Sequence, residues 1–357
     1  MTAGQIVSGE FPAVGVVAGR SVTLHYGNIA AEYASLDEGA MLVDRSVRGR
    51  TRFDGPKAAE MLTGLVTNDV LALTPGHGQY AAALSPKGRI VADVQIFARA
   101  EHLLVDVPPR AREGWDALVR KFINPRVTPY VDVGSEMRQL VIAGAAARVI
   151  LGGAAGLSRE ALTALVPFAH LDAEIAGRPA MIAHIPDLGA EGYEIFCPAD
   201  AFGAMWQRLT AGGATPGGLL AWEIARIERG RPEWGIDIDE TTIPQEANLE
   251  ELHAISYTKG CYTGQEVVAR IHFRGHVNRH LRGLRLGHSE PPPERSVLLS
   301  LEGKQIGDVR SSALSPRLGA IALVMVRREV EMGSTVAVET ESGTTQGQVV
   351  SLPFAQE

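Results

Sequence analysis

Cysteine is scarce: Cys197 and Cys261 are the only two in 357 residues. They are not spaced as a metal knuckle or a C-x-x-C pair, so a disulfide framework is not expected and a reducing cytoplasm is. Long apolar runs are missing as well. None approaches the roughly 18 residues of a membrane span, and "LGAIALVMV" (318–326) reads as a buried strand. The opening "MTAGQIVSGEFPAVGVVAG" has no basic region followed by an apolar stretch, so no signal peptide is expected. Basic excess is absent too: 34 Lys and Arg face 41 Asp and Glu, a net charge of −7. Direct binding to nucleic acid is therefore not expected. These absences together predict a soluble cytoplasmic protein without a membrane partner. What is present is a 45% apolar composition, ordinary for a globular chain and long enough for two or three domains.

Two stretches share a pattern. "TRFDGPKAAEML" (51–62) and "LVIAGAAARVIL" (140–151) each run from a strand-like segment through Gly into an Ala-rich helix. Aligning Gly55 with Gly144 sets Ala58 against Ala147 and Leu62 against Leu151. Three strand-like runs and a helix follow each: "GQYAAAL", "RIVADVQIFA", "HLLVDVP" and 110–123, then "HLDAEIAG", "RPAMIAHIP", "GYEIFCP" and 199–213. Such repetition predicts two α+β units packed side by side. A further helix over 218–230 presents Leu219, Leu220, Ile224 and Ile227 on one face. From Leu281 onward, short strand-like pieces separated by Gly and Ser turns predict a small antiparallel barrel.

"KGCYTGQEVVARIHFRGHVNRHL" (259–281) is the most unusual stretch. Thr263 and Glu266 form T-x-x-E, a capping box that would start a helix at "GQEVVARI". Cys261 would then precede a helix N-terminus, beside Lys259 and Arg270, surroundings that favour a thiolate. Gly260 and Gly264 are expected to leave the backbone there uncrowded. His272, His276 and His280 are four apart, but β-like "RIHF" and Gly275 intervene, so no metal face is expected and no metal is assigned.

With its preceding "GIDIDETTIPQEANLE" (235–250), this stretch resembles the YgfZ family, a folate-binding branch of the superfamily that contains the glycine-cleavage T-protein, an aminomethyltransferase. The similarity includes "LVTNDV", "SPKGRIVADV", "RIERG" and the tail. The resemblance implies an α+β, three-domain T-protein-like ring with two related α+β domains and a C-terminal antiparallel β-barrel. Residues 1–50 plus 135–250 would form the first domain and 51–134 the second, inserted one. The cysteine-motif segment would be 251–280 and the barrel 281–357.

It also implies tetrahydrofolate, or a one-carbon derivative, in a central channel. Asp93 in "RIVADV" matches the aspartate that T-proteins place beside the reactive folate nitrogens, with Gln79 and Tyr80 on the preceding strand. Two departures stand out. The T-protein glutamate expected to hold the pterin falls on Ala190, leaving Glu191, with Tyr193 nearby, as its substitute. Trp222 stands where T-proteins carry an arginine, while Arg226 and Glu228 match theirs. Arg226, Lys259 and Arg270 are the cations expected to meet the folate's anionic groups. The role implied is support of iron–sulfur cluster assembly or repair, with iron–sulfur proteins or their machinery as partners, a link to tRNA modification, and Cys261 and Asp93 as functional groups. The alternative is a tetrahydrofolate-dependent one-carbon transferase acting on an amine.

Overall fold

The computed structural model describes residues 12–286, 290–341 and 343–354; residues 1–11 of the opening segment lie outside these. The repeat read from the sequence is a structural duplication. The first unit runs strand Gly49–Asp54, helix Ala58–Thr63, strands Gly78–Leu84, Ile90–Ala98 and His102–Val107, then helix Arg112–Phe122. The second runs strand Met137–Ala143, helix Ala147–Ala155, strands His170–Ile175, Arg178–Ile185 and Gly192–Pro198, a short 3₁₀ turn, then helix Phe202–Ala211. In both sheets the three later strands lie in sequence order and the strand before the first helix joins beyond the third. Gly55 and Gly144 both take positive φ, +91° and +135°, which lets the chain turn sharply from strand to helix. Ala58, Ala147, Leu62 and Leu151 are all buried.

Long-range pairing completes each sheet. Strand Tyr130–Asp132 adds antiparallel to Gly49–Asp54, and Met41–Asp44 adds antiparallel to Met137–Ala143. The two sheets then pack face to face. Phe97 meets Phe196 edge-on, with 5.4 Å between ring centroids, in a shared core with Leu104, Val133, Met181 and Ala183.

Alternating apolar residues close the tail into a barrel. Its strand order is Arg279–Arg285, Gly319–Arg327, Gln305–Ser315, Val297–Leu299, Thr335–Thr340 and Gly343–Val350, back to the first. The expected buried strand at 318–326 is there. Arg279–Arg285 is a strand despite three arginines because both its faces find apolar cover, Leu281 against the buried helix and Leu284 in the barrel core. Helix Leu219–Glu228 is buried on every side, which exceeds the single stripe expected of a surface helix. It packs between helix Ile29–Glu38 and barrel strand Gln305–Ser315. Among the described residues no helix is long and apolar enough to cross a membrane.

Candidate active site

Where the inner end of the first sheet, the second sheet's 187–188 turn and the chain around helix Leu219–Glu228 converge, a narrow cavity of about 40 Å³ remains. Tyr80, Asp93 and Gln95 reach it from strands Gly78–Leu84 and Ile90–Ala98. Arg45 and Arg48 come from the turn after strand Met41–Asp44, and Asp187 from the second unit. Trp222 and Arg226 come from the buried helix, with Arg231 and Glu233 just after it. A wider open groove of about 730 Å³ involves Arg52, Arg99 and Cys197. Its cations are already paired, Arg52 with Asp54 at 3.1 Å and Arg99 with Asp172 at 2.6 Å, so the chemistry concentrates in the narrow cavity.

Asp93 is 6% exposed. Tyr80 donates its hydroxyl to Asp93 Oδ2 at 2.9 Å, while Oδ1 is buried with no hydrogen-bond partner among the described residues. Burial first, then the negative charge of Glu233, push the Asp93 carboxyl up to about 6; Arg48 and the Tyr80 bond pull the other way. An orphaned buried carboxylate oxygen is costly to keep, and its perturbed acidity marks a functional site. The ring of Tyr80 lies parallel to Phe168, 6.5 Å between centroids, and carries the Arg231 guanidinium at 5.0 Å. Arg231 is held there by Asp187 at 2.5 Å.

Beneath this lies a charged row that sequence reading missed. Asp106, fully buried, pairs with Arg48 and with Arg50, the latter at 3.2 Å. With its amide nitrogen turned toward Glu194, Gln95 donates to both oxygens of that carboxylate at 3.3 and 2.9 Å. Glu194 is 3% exposed; burial and then the charge of Asp106 push its carboxyl up. The alternation of strand Gly192–Pro198 was the available signal. Tyr193 enters the second unit's own core, so its neighbour Glu194 must face the opposite way.

The other expected residues distribute unevenly. Tyr80 and Asp93 meet as expected, but Gln79, their neighbour, is absent from the cavity lining because adjacent strand residues face opposite sides. Glu191 and Tyr193 are bonded to each other and to Arg148 of helix Ala147–Ala155, away from the cavity lining; Glu191 sits in the turn before its strand. Arg226 borders the cavity, yet its guanidinium is committed to Asp237 at 2.6 Å, Glu223 at 2.5 Å and the hydroxyl of Ser311 at 2.9 Å. Arg270 is exposed on helix Gln265–Arg274.

Lys259 is the clearest correction. Its ammonium donates to the carbonyls of Thr63, Val66 and Asn68 at 2.6, 2.6 and 2.9 Å. All three donors of a lysine are thereby used. Burial lowers its pKa to about 8. The residue clamps the cysteine segment to the first unit and does not serve a ligand. Cys261 is exposed, whereas Cys197 is buried, and burial pushes the Cys197 thiol up to about 11.

The helix does begin after Cys261, but at Gln265 with Gly264 as its cap and no side-chain capping bond, so the Thr263–Glu266 box does not form. Gly264 is tightly enclosed: an added Cβ would lie 2.6 Å from the Ser85 carbonyl, and its φ is +82°. Gly260 is open, as expected. "RIHF" is helical, and the helix ends at Arg274. His276 lies beyond that end and His280 in a barrel strand, so the three histidines share no face. Among the described residues no group of three metal-binding side chains converges.

Comparison with known proteins fits this architecture. A family model described as the GCVT N-terminal domain matches residues 12–256, and one described as the glycine cleavage T-protein C-terminal barrel domain matches 279–356. The chain belongs to the glycine-cleavage T-protein family. Among curated relatives, the aminomethyltransferase of Rubrobacter xylanophilus is 32% identical over 341 residues, covering 94% of this chain and 89% of that protein. That of Bacillus subtilis is 29% identical over 344 residues, covering 94% and 93%. The solved aminomethyltransferase T of Bartonella henselae superposes with a TM-score of 0.86 at 23% identity, covering 97% and 95%, which establishes the T-protein-like fold.

Proposed function

We propose that the chain is a tetrahydrofolate-dependent one-carbon transferase acting on an amine, with the cavity around Asp93 as its active site. The observation that carries this reading is the buried Asp93 carboxylate, held by Tyr80 through one oxygen and offering the other to a ligand. Family membership supports the cofactor. When bound, tetrahydrofolate supplies the nitrogen that accepts the one-carbon unit. Asp93 is ionised above about pH 6 and stabilises positive charge developing beside its free oxygen. Tyr80 fixes the carboxylate's orientation, and the charged row of Gln95, Glu194 and Asp106 keeps the floor rigid.

A pterin bicycle exceeds a space of about 40 Å³, so it enters only when side chains lining the cavity move aside. Titration calorimetry with tetrahydrofolate, paired with an assay for methylenetetrahydrofolate formed from an aminomethyl donor, tests the reading. Wild type should give saturable heat, and Asp93→Ala should lower the rate roughly 10²- to 10³-fold. Wild type with neither heat nor product would exclude transfer.

The cysteine motif supports placement in the YgfZ-type branch, with Cys261 as a working thiol, and the exposure of Cys261 favours it. Iron–sulfur assembly and tRNA modification draw no support from the aminomethyltransferase relatives and yield to one-carbon transfer. Cys261→Ala should fold normally and lose biological activity; full activity of that variant in cells lacking the native protein would remove the thiol from the mechanism.

A further inference from the structure

We propose that Arg45, resting on Trp222, binds the carboxylate of a small amino acid, so that the amine partner of the transfer is an amino acid and not a simple amine. This rests on the transferase reading for its reaction and shares the Asp93 cavity, while Arg45 and Trp222 are residues which that reading does not use. Arg45 is 6% exposed and lines the cavity, with its guanidinium 4.4 Å from the centre of the Trp222 ring. Among the described residues it has no carboxylate within 4.0 Å. The neighbouring cations are all held: Arg48 and Arg50 by Asp106, Arg226 by Glu223 and Asp237, Arg231 by Asp187. A buried guanidinium without a direct partner is costly, and a ligand carboxylate would relieve that cost.

The charges around Arg45 agree. Burial lowers its pKa, while Glu233, Glu223 and Glu194 oppose that shift only through space, and Arg48 adds to it. The guanidinium fork suits a carboxylate with two parallel hydrogen bonds, and the indole beneath it fixes the plane of the fork. Acceptors for an ammonium border the same cavity: the free Oδ1 of Asp93, with Glu233 and Asp187. Of the four arginines lining the space, Arg45 alone has no carboxylate within 4.0 Å among the described residues, and that cation with the nearby carboxylates complements a zwitterion. At about 40 Å³, against roughly 10–15 Å³ for one water, the space suits a molecule of glycine or alanine size.

Calorimetry on the full chain, with glycine, methylamine and tetrahydrofolate as separate titrants, tests the site. Glycine should saturate wild type and methylamine should not. Arg45→Gln should weaken glycine at least tenfold and leave tetrahydrofolate affinity within twofold. Equal binding of methylamine, no saturation by glycine, or a loss confined to tetrahydrofolate would each overturn the proposal, the last by giving Arg45 to the folate's own carboxylates. Glycine binding without tetrahydrofolate binding would remove the transferase reading while the amino-acid site stands. If Arg45→Gln does not fold, Arg45→Lys keeps the charge without the fork. Weakened glycine binding then supports the site, and unchanged binding overturns it.

Discussion

The two α+β units share one topology but not one interior. In the first sheet a single row across the strands reads Tyr80, Gln95, Asp106, Arg50. The matching row of the second sheet reads Asp172, Met181, Phe196, Gln139. Counting two residues along the strand from the matched pair of Gln95 and Met181, Asp93 has Pro179 as its counterpart. A duplicated scaffold thus keeps buried charge in one copy and mostly replaces it with apolar side chains in the other. Since apolar replacement of a buried ion pair is often neutral or stabilising, the scaffold itself does not require the charges. They point to chemistry in the first copy, while the second supplies a wall and two carboxylates, Glu194 and Asp187.

The strongest way to break this contrast is Asp106→Ala. It strands Arg48 and Arg50 without their carboxylate and should destabilise the fold by about 3–5 kcal/mol. Phe196→Leu at the matching position should cost less than about 1.5 kcal/mol, both measured by urea unfolding. Similar costs would mean the rows differ only by packing.

The backbone offers the next comparison. Gly144→Ala would bring a Cβ within 2.6 Å of the Gly39 carbonyl at φ +135°, whereas at Gly55 the nearest atom is 3.5 Å away and only the +91° φ is strained. A loss of about 3 kcal/mol or more at 144 and about 1–2 at 55 is expected.

Asp93→Asn gives the one effect that depends on pH. Because the folded pKa, about 6, lies above the ordinary aspartate value of 3.8, the folded state binds more protons between those limits. Native stability therefore falls as pH rises from about 4 to 6, and the deficit stays above 6. The asparagine variant should melt higher than wild type at pH 8, by up to about 2–3 kcal/mol of stability, and no higher at pH 3. An equal difference at both pH values would show that ionisation of Asp93 is not its source.

The duplication and the barrel strands were legible because they rest on local periodicity and turn residues; the meeting of Tyr80 with Asp93 followed from the resemblance of "RIVADV" to T-proteins. What stayed hidden was long-range. Arg45 and Arg48 look like ordinary loop cations until Met41–Asp44 pairs with the second sheet and delivers them to the cavity. Asp106 reads as one polar residue in an apolar strand; its partners are about sixty residues away in sequence. Glu191 is suggested only by its place beside Ala190, whereas the carboxylate that meets Gln95, Glu194, stands three residues on, across the strand alternation. "RIHF" looked β-like from its composition, yet its helix is docked by Val268, its one buried residue, in a core with Leu84 and Ile90, and by Val267 against Gly88.

The Lys259 clamp has a kinetic corollary. With its ammonium fastened to three peptide oxygens across almost two hundred residues of chain, the loop carrying Cys261 has little slack. A reagent or protein reaching that sulfur meets a stationary target whose approach angle is set by the first unit, so the speed of its labelling should report on whether that attachment is intact.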